Sequence, residues 1–119
     1  MPAPRFTSNY PNFQVGKQTL LSTPERTGAS AQYNGSGVTI AFIDSGFYPH
    51  VDPTTPRNRI LAYRNLLDKD GDMSSLLQPD VASWHGMMTS VVAAGNGSLS
   101  NGFFRGIAPE ADVVPVKLA

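Results

Sequence analysis

The chain has 119 residues, 40% of them hydrophobic, which is enough for one modest core and too few for two domains. Nine lysines and arginines balance nine aspartates and glutamates, so no basic field invites nucleic acid or an anionic membrane, and there is no acidic tail. The absence of cysteine excludes disulfides and thiolate metal ligands, and no apolar run approaches the roughly 18 residues of a membrane span.

The opening MPAPRFTSNYPNF has no charged segment followed by an apolar one, so no secretory signal is expected from it, and localisation stays unassigned. Residues 1–34 place Pro2, Pro4, Pro11 and Pro24 among Ser, Thr, Asn and Gln without a sustained period, the pattern of an extended arm. Within it TPERTGASAQY predicts one or two helical turns, with Thr23 as cap and Pro24 at the first helical position. Val38 to Ile43, VTIAFI, is apolar on both faces and predicts a strand covered on both sides in a parallel sheet. From Phe47 to Ser83 loop is expected, apart from a short strand within Arg59 to Leu67. SWHGMMTSVVAAGNG then predicts a helix from about His85 to Ala94, with Ser83 as N-cap, Met88, Val91 and Val92 as its apolar face, and Gly95 or Gly97 as its stop. After a loop of Gly, Ser and Asn the chain turns at Pro109 and ends in a predicted strand, Val113 to Leu118. Pro115 removes one backbone donor from it, so it pairs on one side only at that point or bulges. The order of strand, strand, helix and strand is an α/β layout, and no internal repeat is visible.

Asp44 stands where the first strong strand ends, and α/β sheets gather their working residues at such carboxyl ends. A lone Asp there commonly does no more than cap a turn. His85, at the start of the predicted helix and followed by Gly86, would by itself be a structural histidine. Together they offer more: a carboxylate on Nδ1–H fixes the imidazole tautomer and frees Nε2 to take a proton from a nucleophile.

Asp44 in VTIAFIDSG, His85 in HGMMTSVVAAGNG, the later GIAPEADVVPVKL and the NGSGV before the first strand together resemble the first half of the catalytic domain of the subtilisin-like serine proteases, the subtilases. The first segment is similar to a strand ending in Asp-Thr/Ser-Gly, the second to a His-Gly-Thr helix, and the third to a Gly-Val-Ala-Pro before a lysine-bearing strand. The resemblance covers about residues 35 to 119. It implies an incomplete, three-layer parallel-sheet α/β fold, with residues 1–34 as an N-terminal arm and 35–119 as a truncated peptidase domain. It also implies that Asp44 and His85 are two members of an Asp/His/Ser triad.

The chain departs from the pattern in several places. Met87 stands where the family has Thr, and Trp84 precedes His85 where relatives carry a small or polar residue; packing on the His85 loop is expected of it, ahead of the alternative of a wall of a substrate cleft. The Gly-Thr-Ser-Met nucleophile motif and the later oxyanion Asn are not in these 119 residues. Ser100 has half of a nucleophile-elbow pattern and Ser98 lies beside it, but both read as loop residues, and Ser45 is too close to Asp44 to be the nucleophile. The expectation is therefore a fragment, or a truncated gene product, that is inactive and poorly stable alone.

Other acids rank lower. DKDGD, from Asp68 to Asp72, alternates like a calcium loop but lacks the closing Glu, and reads as a solvated turn. Asp52 in PHVD matches by position an acid that binds structural calcium in some subtilases, though Val51 replaces a Pro there, and His50 reads as a loop residue. Asp80 resembles an acid that the family places ahead of its His, with an exposed loop charge as the plainer reading. The expected activity is serine-type endopeptidase, with polypeptide substrates, no nucleic-acid or membrane partner, and no assigned oligomeric state. No cofactor is expected for the chemistry and no metal ligand is assigned, while the resemblance allows structural calcium in the complete protein. The competing class is a non-catalytic α/β module, either a pseudoprotease or a binding domain. Against it, Gly46 stands where a second phosphotransfer Asp would be, DSGFY lacks the Asp-x-Ser-x-Ser of a metal-dependent adhesion site, and no Gly-x-Gly-x-x-Gly loop is present.

Overall fold

The computed structural model describes residues 14–15, 18–19, 23–28, 32–68 and 72–118. In the arm, β1 (Gln14–Val15) and β2 (Gln18–Thr19) form a two-residue antiparallel pair and α1 spans Thr23–Thr27. Strands this short leave no alternation to read, which is why the sequence pattern missed them. The predicted helix at Thr23 is present, but the Thr23 hydroxyl donates to the Arg105 carbonyl at 2.7 Å, tying the arm to a loop 82 residues later.

The main sheet has three parallel strands in the order β3, β5, β4, with β3 at Thr39–Asp44, β4 at Arg64–Asn65 and β5 at Asp112–Lys117. Residues 39–44 of β3 pair in register with 112–117 of β5, so Ile40, Phe42 and Asp44 share a face with Val113, Pro115 and Lys117. That face meets α4 (Ser83–Ala94), and Ala94, Ala111 and Val113 form one buried cluster flanked by Ile40, Phe42 and Ile60. A second cluster, Phe47, Tyr63 and Leu76, joins the same face beyond β4, below α3 (Asp72–Leu77). The opposite face of β3 corrects the expectation of a strand covered on both sides: Thr39 and Ala41 are exposed and Ile43 is 65% exposed. Among the described residues β3 is an edge strand, and α4 covers one of its faces only.

Within β5, Asp112 N–H donates to Val38 O on the β3 side and Val113 N–H to Arg59 O on the β4 side. Donors alternate along a strand, so the N–H that Pro115 lacks belongs to the β4 side. Pairing there consists of an isolated bridge at Ile60 and Val113, then nothing strand-like until Arg64 and Asn65. The strand expected within Arg59 to Leu67 is thus broken where Pro115 has nothing to donate. Two short helices, α2 (Val51–Thr54) and α3, stand in the region expected to be loop; both are below the length at which periodicity carries a signal.

Arg59 holds the layers together from inside. Its side chain is buried, and its guanidinium donates to Ala111 O before β5, Asp52 O in α2 and Ala94 O at the end of α4. Three carbonyls from three elements converge on one planar fork, which suits arginine and no other cation. Burial pushes its pKa below the usual arginine range, although nearby Glu110, Asp112 and Asp52 oppose that shift. Arg59→Met should leave three buried acceptors without donors and cost about 3 kcal/mol, read as a lower urea midpoint of the intact gene product. A variant unfolding at the wild-type midpoint would show that these carbonyls find other donors.

Candidate active site

The Asp44 carboxylate and the His85 imidazole meet at the end of β3. His85 Nδ1 lies 2.7 Å from Asp44 Oδ1, within the range expected of an orienting pair. The sequence placed the two residues on adjacent elements, and the structure brings their side chains into contact. Oδ1 also accepts Ser45 N–H at 2.6 Å and the Ser45 hydroxyl at 3.1 Å, while Oδ2 lies 3.3 Å from the Thr89 hydroxyl. Burial raises the Asp44 pKa, but the Ser45 backbone bond, the His85 bond and the Ser45 hydroxyl outweigh it and hold the carboxyl below the ordinary aspartate range. The carboxylate stays charged, as a partner for imidazolium must.

Helix α4 reaches this geometry by an unexpected face. Met88, Val91 and Val92 were expected to point inward, yet Met88 and Val92 are exposed, and the buried positions are Ser83, Gly86, Met87, Ser90 and Ala94. The reason is distance. A Cβ at Gly86 would overlap the Gly46 carbonyl oxygen and stand 2.8 and 2.9 Å from the Phe47 ring, and a Cβ at Gly46 would stand 2.9 Å from Ser83 Cα. Only small residues let the helix come close enough for His85 to touch Asp44. Met87 is buried as well, and the Ser90 hydroxyl donates to the Met87 carbonyl.

Ser83 belongs to the helix rather than preceding it as cap. The Asp80 N–H donates to its hydroxyl, which itself lies 3.2 Å from Asp80 Oδ1, and Asp80 Oδ1 also accepts Ala82 N–H at 2.9 Å. Asp80 is therefore more than a loop charge, because its carboxylate shapes the turn that launches α4. The helix stops at Ala94, and Gly95 is required by crowding: a Cβ there would lie 2.6 Å from Asp52 Oδ2. Trp84 is 58% exposed and meets the His85 ring edge to face at 5.3 Å, so it flanks the imidazole in solvent instead of packing inside.

The remaining candidates have other tasks. Asp52 is buried and accepts Gly97 N–H and Ser98 N–H through its two oxygens, closing the loop after α4. Each of its oxygens thus receives one backbone N–H. His50 accepts Asp52 N–H and caps α2. The Ser98 hydroxyl bonds Asn96 and Thr55, and the buried Ser100 hydroxyl donates to Gly97 O and accepts Phe104 N–H; neither serine is directed at His85. Residues 69–71 of the DKDGD stretch lie outside the described residues, and Asp72 opens α3. Among the described residues no cluster of three metal-ligating side chains is present.

Residues 35–119 match the model of the subtilase family. The chain belongs to that family. It is also similar to the Serine protease AprX of Bacillus subtilis (strain 168), with 33% identity over 84 residues. That match covers 71% of this chain and 17% of AprX, so the chain spans about a sixth of the length of the curated relative. The subtilase sheet thus accounts for the α/β architecture and for the three parallel strands that carry this site.

Sequence reasoning missed Thr89 and Ser45 as neighbours of the carboxylate. The only signal for Thr89 was its spacing, four residues after His85 and so one turn along the same face. Gly86→Ala should force the helix away from Gly46 and cost about 2 to 3 kcal/mol, measured by denaturant titration of the intact gene product. Unchanged stability would mean that α4 shifts freely. Because the Asp44 pKa is lowered by folding, its contribution is present above about pH 4 and is lost as pH falls through the lower folded value. The stability gap between wild type and Asp44→Asn should accordingly be full at neutral pH and narrow below about pH 4.

Proposed function

We propose that this chain is the Asp- and His-bearing part of a serine-type endopeptidase that hydrolyses peptide bonds in polypeptides, with residues 35–119 as its peptidase portion and 1–34 as an arm. The observation that carries the reading is the 2.7 Å contact between His85 Nδ1 and Asp44 Oδ1 at the carboxyl end of a parallel strand. In this reading Asp44 accepts the Nδ1–H, holds one tautomer and stabilises the imidazolium. Nε2 takes the hydroxyl proton of a serine supplied by further polypeptide as its oxygen attacks the carbonyl carbon, then delivers that proton to the departing amine. No cofactor takes part.

Two observations support the need for more polypeptide. Ser98 and Ser100 are engaged away from His85, and the face of β3 that carries Ile43 is uncovered. The 119-residue polypeptide alone should accordingly be inactive.

Fluorophosphonate labelling, which requires an activated serine, tests the reading in the intact gene product. Labelling should be stoichiometric in the wild type and abolished in His85→Ala. Asp44→Asn should keep the circular dichroism spectrum and lower peptide turnover by about 10⁴-fold. A folded wild-type gene product that neither labels nor hydrolyses peptides would sink the protease reading in favour of a pseudoprotease. Labelling of the 119-residue polypeptide itself would show that a serine within it is the nucleophile.

A further inference from the structure

Lys117 and Asp44 are register partners in adjacent parallel strands, so their side chains leave the same face of the sheet about 5 Å apart. On the other side of Lys117 the register partner is Asn65, which is neutral. A lysine beside an aspartate would ordinarily pair with it. Here it does not: the ammonium lies 2.7 Å from Asp80 Oδ2 and donates to Ser45 O at 3.1 Å. The lysine side chain is only 9% exposed, whereas that of Asp80 is 53% exposed, so the partner it takes is the more solvated acid.

We propose that Asp80 is a positioning residue that draws the Lys117 ammonium away from Asp44 and thereby reserves the Asp44 carboxylate for His85. The inference rests on the Asp44–His85 pair assigned above. Asp44 Oδ1 already receives Ser45 N–H, the Ser45 hydroxyl and His85, and an ammonium on that oxygen would displace the weakest-held of them or compete directly with the imidazole. A fixed positive charge on Asp44 would also oppose protonation of His85, removing the carboxylate's benefit at the moment it is needed. Asp80 avoids both by offering the ammonium a carboxylate of its own. Its other oxygen shapes the turn at Ala82 that launches α4, so the acid that diverts the lysine also sets the helix bearing His85. The Ser45 carbonyl completes the arrangement, because Lys117 then holds the backbone just past Asp44 while leaving its side chain alone.

The test uses NMR of the intact gene product, following the downfield Nδ1–H resonance of His85. Asp80→Asn keeps the shape of the acid and its turn-forming oxygen but releases the lysine. The Nδ1–H resonance should shift upfield or broaden. Asp80→Asn combined with Lys117→Met should restore it to near its wild-type position, because the competing charge is gone. Lys117→Met alone should leave the resonance in place. A merely structural Asp80 predicts otherwise: the single and double variants would be equally perturbed, and that outcome overturns the proposal, as does an unchanged Nδ1–H resonance in folded Asp80→Asn. Should Asp80→Asn fail to fold, Lys117→Met decides alone, since loss of the Nδ1–H resonance on removing the ammonium would make Lys117 a support of the pair and not a competitor. These readouts require no peptide hydrolysis, so an inactive gene product showing the restoration pattern would defeat the protease reading and leave this one standing.

Discussion

The close approach of α4 to the end of β3 is the constraint on which the rest of the site depends. It is made by the absence of two side chains, at Gly46 and Gly86, and by the packing of the Phe47 ring beneath the helix. With a methyl at either glycine the helix and the end of the strand would have to move apart, straining the 2.7 Å contact between His85 and Asp44. The same closeness selects the inward face of α4, mostly small residues from Ser83 through Gly86 and Ser90 to Ala94 with Met87 among them, and turns Met88 and Val92 outward. A helix chosen for burial alone would have rotated the other way.

Around that contact, polar groups in the interior are satisfied by design of position rather than by number. Arg59 gathers carbonyls from α2, α4 and the entry to β5; Asp52 gathers N–H groups from the loop that follows α4. Both clamp the far end of the helix, while Asp80 and Ser45 fix its near end through the turn at Ala82. The helix is held at both termini by charged side chains from other segments, so the His85 ring is positioned by a rigid body and not by a loop. Buried charges of this kind are costly unless every hydrogen bond is made, and among the described residues no buried side-chain polar atom lacks a partner.

The electrostatics near Asp44 have one sign problem and one solution. The carboxylate must be ionised yet available, and its own hydrogen bonds keep it ionised. Availability depends on where the neighbouring cation goes. The Lys117 ammonium satisfies the Ser45 carbonyl and Asp80, which places positive charge next to the backbone of the site but not on the acid that serves the imidazole.

The amino-acid sequence by itself determined the α/β class, the strand ending in Asp44, the helix bearing His85, the final strand and the pairing of these two residues as a candidate site. Each has a local signature: an apolar β-branched run, a helical segment stopped at Gly95, and a motif whose spacing is legible without coordinates. The disturbance at Pro115 was legible too, since a missing N–H is a property of one residue. Tertiary structure decided which face of α4 is buried, because the allowed helix-to-strand distance depends on glycines that are distant in sequence. It decided that among the described residues β3 is covered on one side only, that Trp84 stands in solvent, and that Asp52 faces backbone N–H groups. It decided as well that Lys117 pairs with Asp80 rather than with its register neighbour, a choice between two carboxylates that lie 37 and 73 residues away along the chain and become alternatives only once the sheet has formed.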